Sequence, residues 1–212
     1  MDSRPIPSTG ERLPVIGCGT WKAFDVPPDG DGVATLAGVL RTLFDAGGSM
    51  VDSSPMYGRA EAVVGKSFAT LDARGRAFVA TKVWTRGRQA GIDGMRRSLA
   101  LLGTPQLDLM QIHNLLDWRM HLATLRDWKA EGTIRYLGVT HYTASAHAEL
   151  AAVLRSESLD FLQVNYSLEE PEAARELLPL AADRGVAVIV NRPFGGGGSG
   201  QAPARASTAR LG

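Results

Sequence analysis

Leu107-Asp108-Leu109-Met110-Gln111-Ile112-His113 is a short, nearly continuous apolar run that ends in a histidine. The period then changes. Residues 119–131 carry Leu122, Leu125 and Trp128 at helical spacing, and Gly132 stands where such a helix would stop. A second apolar run follows, Ile134-Arg135-Tyr136-Leu137-Gly138-Val139. A strand that alternates apolar and polar residues has one wet face, whereas a continuous apolar run is buried on both faces, as parallel sheets require. Strand, helix and strand joined by short connections make a βαβ unit.

The same alternation extends in both directions. Strands are expected near 15–20, 49–52, 77–82, 107–112, 134–139, 160–164 and 186–190, and helices near 33–46, 59–70, 90–102, 119–131, 143–155 and 171–184. Gly47-Gly48, Gly103, Gly132 and Gly185 are the expected helix stops. Residues 6–14 read as two short extended pieces around a Thr-Gly turn, a hairpin able to plug the N-terminal end of a barrel. The fold class is therefore α/β, a TIM (β/α)8-type barrel that is incomplete at about seven βα units; an open doubly wound sheet fits the same pattern. After Phe194 the composition turns abruptly to Gly, Ala, Arg, Ser and Pro. The expected organisation is a barrel domain over residues 1–194 and a disordered tail over 195–212. A shifted or prematurely ended reading frame is the expected origin of that change. The glycine run 195–200 does not read as a phosphate-cradling loop, because no helical pattern follows it.

The chain has 212 residues, with 44% hydrophobic residues, 7% aromatic residues and a net charge of +1, the profile of a soluble globular domain. Interspersed charges argue against a nucleic-acid or membrane surface. Cys18 is the only cysteine, which excludes an intramolecular disulfide and fits a cytoplasmic setting. The N-terminus shows no apolar signal segment. His121, His141 and His147 form no metal-ligand pattern with acids or Cys18, so no metal is expected.

Asp52, Tyr57, Lys82 and His113 each fall at or just past the end of an apolar run. In a parallel barrel those ends converge on one mouth, where the chemistry sits. Taken singly, each has a plain reading: Asp52 as a helix cap, Tyr57 as a rim residue, Lys82 as a solvated strand end, His113 as a satisfied loop histidine. Together, a carboxylate, a tyrosine, a lysine and a histidine at one mouth make a proton-donating site.

The motifs resemble those of the aldo-keto reductase family. They are Gly17-Cys18-Gly19-Thr20-Trp21, Asp52-Ser53-Ser54-Pro55-Met56-Tyr57-Gly58, Thr81-Lys82-Val83-Trp84, Asp108-Leu109-Met110-Gln111-Ile112-His113, Ile134-Arg135-Tyr136-Leu137-Gly138-Val139-Thr140 and Phe161-Leu162-Gln163-Val164-Asn165-Tyr166-Ser167. Any one is weak, but six in order with barrel spacing are specific. The resemblance implies reduction of an aldehyde or ketone, a small-molecule carbonyl substrate, by NADP(H), with NAD(H) as the alternative. It implies Tyr57 as general acid, Lys82 as the charge that favours the phenolate, Asp52 as the partner of Lys82, and His113 as the group that orients the carbonyl. Trp21, Trp84 and Trp118, with Tyr57 and His113, are the implied substrate-pocket residues, one tryptophan serving only in packing. Trp128 is expected in the core.

The implied cofactor residues are Thr20, Asp52, Thr140, His141, Gln163, Asn191 and Arg192. Two depart from the family pattern: His141 stands where an asparagine is usual, and Asn191 where an aromatic residue stacks on the nicotinamide. Phe194 is the nearest aromatic replacement, and Arg192 reads equally as a residue facing a cofactor phosphate or as a solvated loop arginine. Nothing after Phe194 resembles the family's phosphate-binding segment. The competing readings are therefore a catalytically inactive barrel fragment, or a binding or regulatory subunit. Open barrel edges further imply self-association.

Overall fold

In a computed structural model, residues 1–195 are described. Seven parallel strands form one sheet: β3 (Cys18–Gly19), β4 (Met50–Asp52), β5 (Phe78–Val83), β6 (Leu107–His113), β7 (Ile134–His141), β8 (Phe161–Asn165) and β9 (Ala187–Asn191). They are paired strictly in sequence order. The helices α1 (Gly32–Asp45), α2 (Ala60–Leu71), α3 (Arg88–Leu102), α4 (Trp118–Ala130), α5 (His147–Ser156) and α6 (Leu177–Asp183) connect them. This is a nearly closed α/β barrel of seven strands. A two-stranded antiparallel hairpin, β1 (Ser3–Pro5) and β2 (Arg12–Pro14), precedes it. The expected tail, apart from Gly195, lies outside the described residues.

Period-two alternation divides each strand between two cores. Val51, Val79, Met110, Ile112, Leu137, Val139, Leu162 and Val164 face the helices in one continuous cluster. Met50, Phe78, Ala80, Leu109, Tyr136 and Phe161 fill the barrel interior, and Ile6 of the hairpin turn, 1% exposed, closes that cluster from below. The hairpin is thus a floor, as expected from its position. Glu11 accepts hydrogen bonds from Arg135 and Tyr136 on β7, and the Thr9 hydroxyl lies 2.8 Å from that of Tyr136.

Two aspartates at strand starts fasten neighbouring strands. Asp108 accepts the Val79 N–H at 2.7 Å, and Asp160 accepts the Leu137 N–H at 3.0 Å. Both also hold a cation, Arg135 and Lys129 respectively, so a charge set near the sheet is satisfied on both sides. Gly103 (φ +65°) and Gly132 (φ +79°) end α3 and α4 in the left-handed conformation that a side chain disfavours.

Three expectations need correction. The first strand is not a buried run over 15–20: only Cys18–Gly19 pair, and Val15 and Ile16 are 48% and 56% exposed. The reason is that, among the described residues, β3 has β4 on one side and no strand on the other. The helix expected at 143–155 begins with a 3-10 turn, Ala144–Ala146, before α5. The helix expected at 171–184 is split into a 3-10 turn, Glu172–Arg175, and the short α6; Pro179 fits within α6 because it stands in the first turn, where a backbone N–H has no partner within the helix.

Candidate active site

Two residues further along most strands, the interior changes from apolar to polar. Met50 gives way to Asp52, Ala80 to Lys82, Leu109 to Gln111, Phe161 to Gln163 and Ile189 to Asn191. The polar layer therefore lies directly above the apolar interior, on the C-terminal side where a parallel barrel opens.

Asp52 and Lys82 form the centre of this layer. Lys82 is 1% exposed, and its Nζ donates to Asp52 Oδ1 at 2.8 Å, to Asp52 Oδ2 at 2.7 Å and to the Ser53 carbonyl at 2.7 Å. All three ammonium donors are thus used, which offsets the cost of burying the charge. The Asp52 carboxylate also accepts Gln111 Nε2 at 3.3 Å and Gln163 Nε2 at 3.1 Å. Thr20 fastens the end of β3 to this centre: its N–H donates to the Asp52 carbonyl at 3.0 Å, and its hydroxyl lies 2.9 Å from Ser53 Oγ.

Tyr57 follows β4 in the loop leading to α2. Its ring lies 5.2 Å from Lys82 Nζ and stands edge-on to the His113 ring, with centroids 6.0 Å apart. Burial pushes the Tyr57 phenol above its ordinary range, opposed by the positive charges of Lys82 and Arg192 and reinforced by Asp52. The Lys82 charge favours the phenolate, but burial outweighs it, so the phenol is protonated at neutral pH.

His113, at the end of β6, is 6% exposed, and burial followed by the Lys82 charge lowers its pKa to about 3. It is neutral. The Ser54 hydroxyl accepts the Met56 N–H at 3.2 Å and lies 3.0 Å from His113 Nδ1. In the tautomer in which Ser54 donates to Nδ1, the ring proton is on Nε2, where it faces away from Ser54.

A cavity of about 1320 Å³ runs from the hairpin floor to this mouth, lined by Tyr57, His113, Thr140, Gln163, Asn191 and Trp21 among others. It is also flanked by both sheet edges, Val15–Thr20 on one side and Ala187–Asn191 on the other. Of the tryptophans, Trp21 lines the cavity and is 43% exposed, and Trp84 stands 6.4 Å from the His113 ring. Trp118 is different: at 8% exposure it belongs to the core between sheet and helices, because it begins α4 on the helix face turned inward. Trp128 lies in the same core, as its helical spacing indicates.

The residues expected at a cofactor divide similarly. The Thr140 hydroxyl donates to Gln163 Oε1 at 3.0 Å, so the two face each other above Asp52. Asn191 Oδ1 is buried without a partner among the described residues, as is Asn114 Oδ1, and both residues line the cavity. His141 turns its Nδ1 into its own loop, accepting the Tyr142 and Thr143 N–H groups at 3.1 and 3.3 Å. Tyr142, stacked on that ring, lines the cavity in its place. Phe194, also on the lining, is 89% exposed.

Ser54, Gln111 and Tyr142 were not expected as site residues. For Gln111 a signal exists: it is the polar residue two before His113 in an apolar strand, and its register partner is Lys82. Tyr142 carries no such mark, since only the turn around His141 brings it inward.

Asp52, Lys82 and His113 at strand ends and Tyr57 in the loop after β4 thus meet at one mouth of a parallel barrel. A profile of the aldo/keto reductase family matches residues 15–205, and the chain belongs to that family. It is 26% identical to the aldo-keto reductase YhdN of Bacillus subtilis over 90% of this chain and 61% of that protein. It is 27% identical to the NADH-specific methylglyoxal reductase of Escherichia coli, over 92% of this chain and 68% of that one. An aldo-keto reductase from Klebsiella pneumoniae solved in complex with NADPH superposes with a TM-score of 0.75 at 25% identity, covering 91% of this chain and 68% of that one. The chain thus spans about six-tenths of the length of the Bacillus relative.

Proposed function

We propose that this barrel reduces an aldehyde or ketone to the corresponding alcohol with NADP(H), with NAD(H) as the alternative donor. The observation that carries this reading is the Tyr57–Lys82–Asp52 arrangement, in which the phenol stands beside a fully buried ammonium held by both oxygens of one carboxylate. The dinucleotide would supply the hydride. Its carboxamide suits the unpartnered Asn191 Oδ1 and the adjoining Thr140 and Gln163, which offer acceptors and donors at one wall. Thr20 and Asp52 would act on it indirectly, by fixing the layer beneath. Relatives and neighbours named for NADH and NADPH support the nucleotide class.

His113 Nε2–H would donate to the carbonyl oxygen and hold it toward Tyr57. The Tyr57 hydroxyl would then deliver its proton to that oxygen as negative charge develops there. Lys82 stabilises the phenolate left behind, and Asp52 keeps Lys82 in place. Trp21 and Trp84 would form apolar walls for the substrate.

Tyr57→Phe is expected to lower kcat by about 10²–10⁴-fold, the usual share of a general acid, while NADPH affinity measured by fluorescence titration stays within about threefold. Equal rates for Tyr57→Phe and the parent chain would remove Tyr57 from the mechanism. NADPH binding with no reduction of any tested carbonyl would favour the binding-subunit reading.

A further inference from the structure

The mouth carries a second polar feature beside the Tyr57–Lys82–Asp52 centre. Arg192 follows β9 with φ +54°, a conformation that costs a non-glycine residue energy and so has to be held by its surroundings. Its guanidinium carbon lies 4.7 Å from the Tyr142 ring centroid and 5.3 Å from that of Trp21. Those rings come from opposite sides of the opening, after β7 and after β3. A guanidinium bracketed by aromatic faces keeps its plane fixed, while the N–H groups around its edge remain free to bond.

The local charge is unbalanced. Lys22 Nζ lies 4.4 Å from the same Trp21 ring, so two cations share one indole. Among the described residues neither Lys22 nor Arg192 has a carboxylate partner. The charged residues of the cavity wall are Arg4, Lys22, Arg192 and Asp52, and Asp52 is saturated by Lys82, Gln111 and Gln163. Arg192 is also near enough to Tyr57 for its charge to favour the phenolate.

We infer that Arg192, assisted by Lys22, binds a carboxylate carried by the carbonyl substrate, so that the preferred substrates are oxo acids or carboxylated aldehydes. A planar carboxylate matches the guanidinium edge with two parallel hydrogen bonds. Arg192, Trp21 and Tyr142 line the same cavity as Tyr57 and His113. This inference rests on the carbonyl-reductase reading for its reaction, but not for its binding.

The test uses the full chain and two probes, benzoate for binding and the pair 4-carboxybenzaldehyde and 4-methylbenzaldehyde for turnover. Benzoate binding is read from tryptophan fluorescence, and NADPH binding is titrated separately. The parent chain is expected to bind benzoate and to prefer the carboxylated aldehyde in kcat/KM by about tenfold or more, as a charged hydrogen-bonded pair supplies. Arg192→Gln should weaken benzoate about ten- to hundredfold, largely erase the preference through KM, and move NADPH affinity less than about threefold. Arg192→Lys, which keeps the charge and loses the fork, should fall between them. Retained benzoate binding in Arg192→Gln would overturn the inference. So would a loss confined to NADPH affinity, which would assign Arg192 to a cofactor phosphate. If neither aldehyde is reduced while benzoate binding still depends on Arg192, the site stands and the reductase reading fails.

Discussion

His113 shows how one side chain couples chemistry to stability. In the folded barrel it stays neutral down to about pH 3, whereas in the unfolded chain it takes a proton near pH 6.5. Between those values the unfolded state binds more protons, so this group lowers stability as pH falls from about 6.5 toward 3. The slope it contributes reaches about 1.4 kcal/mol per pH unit. Urea denaturation from pH 7 to 4 should show that loss, and His113→Gln should flatten it; identical slopes would mean that His113 is not buried neutral. Asp52, Tyr57, Lys82 and His113 were legible because each interrupts or ends an apolar run. The direction of the tyrosine's overall shift was not, since it depends first on how deeply the folded loop buries the phenol. Ser54 was not legible as a site residue, because its partner His113 is distant in sequence.

At the scale of elements, the helices hold their spacing through small residues and buried ties. Glu61 on α2, 3% exposed, accepts the Thr81 hydroxyl of β5 at 2.6 Å and the Ser98 hydroxyl of α3 at 3.1 Å, joining three elements behind Lys82. Four residues on, Gly65 meets α3 so closely that a Cβ would sit 2.1 Å from the Leu101 carbonyl oxygen. Alanine in mid-helix gains up to about 1 kcal/mol over glycine in propensity. A methyl forced into a packed contact costs about 1–3 kcal/mol, and here the obstacle is backbone that cannot rotate away. Gly65→Ala should therefore destabilise the chain by about 1–2 kcal/mol in chemical denaturation, and a gain in stability would show that α2 and α3 are not packed this closely. Strand and helix positions followed from apolar period and glycine stops. The short β3 did not, since its length depends on having a strand on each side, and sequence pattern registers burial without counting neighbours.

For the whole molecule, the ordered strands and the large cavity make ligand binding visible as stability. A nucleotide that binds only the folded chain at 100 times its dissociation constant adds about 2.7 kcal/mol. For a chain of this size that corresponds to about 5–10 °C in Tm. Thermal unfolding with and without NADPH should show such a shift, and a transition indifferent to NADPH would count against nucleotide binding by this chain. The barrel was legible as a whole because repeated βαβ units leave a repeated signature. The pairing of Arg192 with Trp21 and Tyr142 was not, because it joins loops that meet only when the first and seventh strands flank the same opening.

The strand order carries a consequence for how the chain assembles. Every pair in the seven-stranded sheet joins strands that are neighbours in sequence, so each unit can dock on the one before it as the ribosome releases it. The hairpin is the exception. Its seat is built from Phe78, Leu109, Tyr136 and Phe161, and Glu11 waits for Arg135 and Tyr136, more than a hundred residues later. The hairpin is thus synthesised well before the strands it covers, and until they form, the underside of the nascent barrel lacks its cover.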